Sequence, residues 1–159
     1  MAPAPRLPGV AEEGESGFEI GKDGLAVIMV GVDGGNPAIN AAAWAAGLAR
    51  RERARLVLVY VEPLTSPSYW TPVIAAGAVD AGAAFVDELR RNAAQYLAPQ
   101  GVRWEVVHHR GEPAHGLEAV AEEVRADCIV VGRSHDGGAL GSVAKTLINL
   151  ATRPVVVIP

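Results

Sequence analysis

Two glycine-bearing segments hold the residues of this chain best suited to gripping a small anionic molecule. The first is Gly31-Val32-Asp33-Gly34-Gly35, directly after an apolar run. A carboxylate such as Asp33 at the carboxyl end of a strand can accept hydrogen bonds from a base or a ribose. Its other use is to close the turn ahead of the following helix. The second segment is Gly132-Arg133-Ser134-His135-Asp136-Gly137-Gly138-Ala139-Leu140-Gly141-Ser142. It joins a strand to a helix, so its end aims backbone N–H groups and a positive dipole at an incoming anion. Glycines there let the backbone approach phosphate oxygens with no Cβ in the way. Ser142 has two compatible uses, capping its own helix and donating its hydroxyl to a phosphate. The turn is not a P-loop, since no Gly-Lys-Ser/Thr is present, nor is it a GxGxxG dinucleotide turn.

The elements that must position these segments follow a regular pattern. Ala26–Val32, Leu56–Val61, Cys128–Val131 and Pro154–Ile158 are short, almost unbroken apolar runs. Such runs mark strands covered on both faces. Val102–Val107 alternates more, as an edge strand does. Between the first two strands, Asn36 reads as a helix cap with Pro37 in the first turn. Ile39, Ala42, Ala43 and Ala46 then repeat at helical spacing, and Arg50, Arg51 and Arg53 lie at the negative end of the helix. Glu62–Asp80 reads as a long loop because of Pro63, Pro67, Pro72, Ser66 and Ser68. A helix is predicted from about Ala81 with Phe85, Leu89, Ala93 and Tyr96 on one stripe. Pro113 opens a third helix with Leu117, Val120, Ala121 and Val124 inward and Glu118, Glu122, Glu123 and Arg125 outward. Ser142 caps a fourth, with Val143, Leu147, Leu150 and Ala151 inward. Strict alternation of apolar strands with amphipathic helices implies right-handed crossovers and a doubly wound parallel α/β sheet with helices on both faces.

Composition narrows the classes. The 159 residues amount to one domain's worth, half of them apolar and a fifth charged. A formal charge of −4 argues against a nucleic-acid partner or an anionic membrane surface. No run approaches the roughly 20 apolar residues of a membrane helix. The single cysteine, Cys128, can form no internal disulfide, which fits a reducing, cytoplasmic setting. Residues 1–24 are rich in Gly and Pro and carry Glu12, Glu13, Glu15, Glu19 and Asp23; they read as an acidic tail ahead of one domain spanning 25–159.

Taken together, these motifs resemble the universal stress protein (UspA-like) family. Val30-Gly31-Val32-Asp33-Gly34 is similar to the family's first strand and its acidic end, and Ala41–Ala46 to the helix that follows. Gly111-Glu112-Pro113-Ala114 is similar to its Gly-x-Pro-Ala opening of the third helix. Val130-Val131-Gly132 through Gly141-Ser142-Val143 and on to Arg153-Pro154-Val155-Val156-Val157 is similar to its terminal glycine motif and last strand. The resemblance implies a five-stranded sheet in the order 3-2-1-4-5, adenine-nucleotide α-hydrolase-like, and a homodimer through the last strand, here Val155, Val156, Val157 and Ile158. Its nucleotide contacts would fall on Gly31, Val32, Asp33, Val61, Val131, Gly132, His135, Gly141, Ser142 and Val143. ATP is the implied ligand, with AMP, ADP or an empty site as alternatives and Mg2+ as companion to the phosphates.

The chain departs from the family's binding motif in one loop. His135 stands where a glycine is expected, and five residues, Asp136–Leu140, separate it from Gly141 where the nucleotide-binding pattern has nine. Four fewer residues remove about 13 Å of contour, and Asp136 adds a negative charge near the implied phosphates. A nucleotide-independent interaction module with an unidentified protein partner is therefore the alternative function. His108, His109, His115 and His135 do not suggest a metal site. In the implied strand order His135 lies about 14 Å from His108 and His109, and those two neighbours point to opposite faces. No covalent catalysis is indicated either, as Ser142 has no partner histidine at a suggestive spacing and Cys128 opens a buried strand. Asp33 is the one candidate general base, so ATP turnover is expected to be slow or nil. An adenylating or nucleotide-hydrolysing enzyme would need an SGGxDS-type loop that this chain lacks. Tyr69 and Trp70 can stack on a base or pack over the sheet edge.

Overall fold

The computed structural model describes residues 24–64, 72–133 and 140–159, with 72–80 described in backbone alone. The strands Val27–Gly31 (β1), Arg55–Glu62 (β2), Arg103–Arg110 (β3), Cys128–Gly132 (β4) and Val155–Ile158 (β5) form one parallel sheet in the order β3-β2-β1-β4-β5. Four helices alternate with them: Asn36–Glu52 (α1), Pro72–Tyr96 (α2), Pro113–Glu123 (α3) and Ser142–Leu150 (α4), with a short 3-10 turn at Ala98–Gln100. The alternation and strand order agree with the sequence reading. The alternating strand β3 lies at one edge and β5 at the other.

Each apolar strand serves two cores because successive side chains point to opposite faces. Ile28, Val30, Leu56, Leu58, Cys128 and Val130 pack with Ala41, Ala45, Ala49, Ala93 and Leu97 of the α1–α2 segments. Met29, Val57, Val59, Ile129 and Val131 pack with Leu117, Val120, Ala121, Ala144 and Leu147 of α3 and α4. That double burial is why the sequence shows continuous apolar runs. The start of the sheet is secured by Asp127, whose Oδ2 accepts the amides of Ala26 and Val27 at 2.8 Å each. No helix among the described residues is long and apolar enough to cross a membrane.

Several local expectations shift. The cap position of α1 is Gly35, and Asn36 is its first residue. The buried stripe of α1 is Ala38, Ala41, Ala45, Ala46 and Ala49, while Ile39 is 58% exposed. Small side chains let this helix lie close on the sheet, and the bulkier Ile39 turns outward. The second helix begins at Pro72, well before Ala81. The prolines that suggested a loop end at Pro72, and a proline is tolerated at a helix's first position. Tyr96 is 63% exposed, and Leu97 takes the buried place. Glu118, expected to face outward, turns in to meet Arg153. Residues 1–23, the stretch 65–71 with Tyr69 and Trp70, and 134–139 with His135 and Asp136 lie outside the described residues.

Candidate functional site

The sheet order reverses at β1, which pairs with β2 on one side and β4 on the other. In open α/β sheets the crevice beyond the carboxyl ends of strands at such a reversal is where ligands bind. A cavity of about 520 Å3 lies there, within the usual range for small-molecule sites. Its walls include Gly31, Val32 and Asp33 from the end of β1, Val61 from β2, Val131 and Gly132 from β4, and Gly141, Ser142 and Val143 at the start of α4. The structure thus gathers every sequence-selected residue of the site into one cavity except His135, which lies outside the described residues.

Local chemistry explains how these groups are held. Oδ1 of Asp33 accepts the amide of Gly35 at 2.8 Å, closing the turn that leads into α1. Asp33 itself stays exposed, so one carboxylate both shapes the loop and faces the cavity. Gly31 leaves room for Leu117 of α3, whose terminal carbons would lie 3.1 and 3.2 Å from a Cβ at that position. At α4 the cap position is Gly141 and no side chain caps the helix; Ser142 is its exposed first residue. The expected capping by Ser142 is therefore replaced by a glycine cap, which leaves the first amides of α4 at the cavity wall.

Arg133, Pro113, Leu117 and Pro63 also line the cavity and were not selected from sequence. Arg133 sits inside the second glycine segment, so its position alone could have flagged it. Its amide donates to the Ile158 carbonyl at 2.6 Å, which ties the loop's first residue to the end of β5. Pro113 and Leu117 belong to the Gly-x-Pro-Ala opening and the inner stripe of α3. Their place in the wall arises because α3 leans over the end of β2. Among the described lining residues Asp33 and Arg133 are the charged pair, one of each sign.

The described histidines, His108, His109 and His115, do not line this cavity. Nε2 of His108 lies 2.9 Å from Oε2 of the buried Glu62, and its ring stacks on Tyr60. His109 packs on the other face near Gly116. His115 meets Glu112, with Nδ1 2.6 Å from Oε2. Among the described residues no three His, Cys, Asp or Glu side chains gather in a way that could hold a metal ion.

Comparison with known proteins bears on this geometry. The profile of the universal stress protein family matches residues 25–159. A universal stress family protein from Burkholderia pseudomallei is 31% identical, with a TM-score of 0.66, over 84% of this chain and 96% of that one. Universal stress protein UspA from Lactobacillus plantarum is 26% identical, with a TM-score of 0.73, over 84% and 97%. The universal stress protein from Archaeoglobus fulgidus, solved in complex with dAMP, is 25% identical, with a TM-score of 0.57, over 84% and 98%. No curated protein matches the chain.

Proposed function

The chain belongs to the universal stress protein family, and on that premise we propose that it binds an adenine nucleotide in the β1/β4 cavity and acts as a stress-response regulator through its occupancy and dimerisation. The observation that supports this best is the pairing of Asp33 and Arg133 in one cavity walled by glycines and by the start of α4. A carboxylate complements ribose hydroxyls and base amines, and a guanidinium with nearby backbone amides complements phosphate. The dAMP complex of the Archaeoglobus relative favours the adenine class.

ATP is the preferred ligand, and AMP or ADP would fill the same ribose and purine region. Bound ATP would bring a triphosphate whose charge Arg133, the Ser142 hydroxyl and the α4 amides offset. Asp33 carries the cavity's one carboxylate among the described lining residues, so any Mg2+ would be held chiefly by phosphate oxygens. Asp33 is also committed to the Gly35 amide, which leaves it a poor general base, and turnover is expected to be slow or nil. A second copy would pair along the edge strand β5, whose residues Val155, Val156, Val157 and Ile158 are all half-buried. The cytoplasm is the proposed setting.

The test is calorimetric titration with ATP and AMP, together with identification of any nucleotide released on denaturing the purified protein. Binding that is lost in Gly141→Val, and that weakens by about tenfold for ATP but little for AMP in Arg133→Ala, is expected; one charge-assisted hydrogen bond is worth about that. Flat titrations with both nucleotides at millimolar concentration would overturn the proposal and favour the nucleotide-independent interaction module.

A further inference from the structure

At the opposite end of the sheet, a second cavity of about 270 Å3 is walled by Arg50, Arg53 and Arg103 with Gln100 and Gly101. We infer that this arginine-lined cleft is the docking site for the chain's own acidic segment, residues 12–19.

The cleft is built by the fold and carries no acidic wall. Arg50 lies in the last turn of α1, Arg53 follows in a left-handed conformation with φ 56°, and Arg103 opens β3. Nη2 of Arg103 donates to the Arg53 carbonyl at 3.0 Å, using one of the five donors a guanidinium offers. The carboxylates nearby are mostly engaged: Glu105 pairs with Arg55 at 2.8 Å, and Asp127 holds the amides of Ala26 and Val27. Glu52 is the opposing charge, lying beside Gly24. Three exposed guanidiniums around a concavity form a strong attractor for carboxylates.

The occupant follows from where the chain enters. Val27 is in register with Arg55, and Arg55 with Arg103, so the start of β1 lies two strands, or about 10 Å, from Arg103. Ahead of Gly24 the chain holds Glu12, Glu13, Glu15, Glu19 and Asp23 against only Arg6 and Lys22. Residues 12–19 contain no basic side chain. Five residues from Gly24 back to Glu19 span up to about 17 Å, enough to reach the cleft. Tethering at that range corresponds to a millimolar effective concentration, so individually weak ion pairs suffice. A free polyanion would have to overcome the acidic net charge of the whole chain. The attached segment carries most of that charge itself.

The test uses the full chain with a nitroxide placed by Ser16→Cys. Cys128 will not compete for the label, since it is 3% exposed and burial pushes its thiol up to about 11. At low salt the amide signals of residues 49–54 and 100–103 should lose intensity about threefold relative to the reduced label. They should recover at 1 M NaCl, where screening acts within about 3 Å. Recovery is also expected when Arg50 and Arg103 become Glu. Glu12, Glu13, Glu15 and Glu19→Gln gives a matching control that leaves the folded domain untouched. The inference is overturned if the loss is absent, spread evenly over the surface, centred on Asp33 and Arg133, or still present with the neutralised segment. It is equally overturned if the loss appears in a mixture of spin-labelled and isotope-labelled copies, which would assign the contact to a second molecule.

Discussion

Gly132 at the end of β4 lies against the backbone of Pro37 in the first turn of α1. A Cβ on Gly132 would stand 2.3 Å from both the carbonyl carbon and the carbonyl oxygen of Pro37. Real atoms do not approach so closely, so the start of α1 can cover the end of β4 only because position 132 has no side chain. That contact brings the Asp33 turn and the Gly132 loop to the same cavity.

Gly132→Ala should therefore destabilise the protein by about 1–3 kcal/mol or more, since backbone cannot yield as a side chain can. Gly47→Ala, in the same helix with nothing within 4 Å of its would-be Cβ, should stabilise by about 0.5–1 kcal/mol. Urea unfolding of the two variants should shift the midpoint in opposite directions.

Arg153 is nearly sealed, with its side chain 2% exposed. Its Nη1 donates to the carbonyls of Ala121 and Ala126 at 3.0 Å each, and its Nη2 reaches Glu118 and Glu122. It joins the end of α3 to the approach of β5. Arg153→Ala takes away the cation beside Glu118, leaving that carboxylate the Thr152 hydroxyl and amide as donors. It also leaves the Ala121 and Ala126 carbonyls without their donor. The substitution should cost about 3–5 kcal/mol, as removing one member of a buried pair does. An equilibrium denaturation curve indistinguishable from the parent would refute this account.

Cys128 supplies an alkaline limit. Burial pushes its thiol up from an ordinary value near 9.0 to about 11. The unfolded chain releases this proton first, so the folded state's advantage is complete below about pH 9 and is lost as pH rises toward 11. Up to about 2–3 kcal/mol should disappear across that window, and Cys128→Ala should flatten the decline. A thiol reagent at pH 8 should react with the native protein only as fast as the protein opens.

Glu112 caps α3: its Oε2 accepts the His115 amide at 2.8 Å, and that bond is the main reason its carboxyl titrates below its ordinary value. Its contribution is present above about pH 4.5 and fades as pH falls and the carboxylate protonates. Glu112→Ala should cost about 0.5–1 kcal/mol near neutrality. It should also show a shallower loss of stability in acid than the parent, read from denaturation curves at a series of pH values.

If β5 is the dimer edge, Val156→Glu with Ile158→Glu should yield a monomer by sedimentation. Ile148→Glu, on the exposed side of α4, should leave the oligomer unchanged. A parent that sediments as a monomer would remove the dimer from the proposal.

Much of the fold is legible in the chain because local burial leaves a periodic trace. Val27–Gly31 and Cys128–Gly132 are apolar throughout since both sheet faces are covered. Where helices meet the sheet the trace weakens. Alanines of α1 look alike in sequence, so the stripe could be phased to include Ile39 and Ala43, which are exposed, along with Ala46, which does pack, and to omit the buried Ala41, Ala45 and Ala49. Proline likewise misleads: it marks breaks, yet at Pro72 it begins a helix.

By itself the amino-acid order determined the alternation of elements, the two glycine segments and the acidity of Asp33, all properties of short stretches and their side-chain chemistry. Tertiary structure alone decided that Arg133 and Leu117 would share a cavity with Asp33, that Glu118 would turn toward Arg153, and that Arg50 would lie beside Arg103. Those pairs are far apart along the chain. What joins them is strand register and the close seating of helices such as α1 at Gly132, and these depend on the whole sheet being assembled rather than on any neighbouring residue.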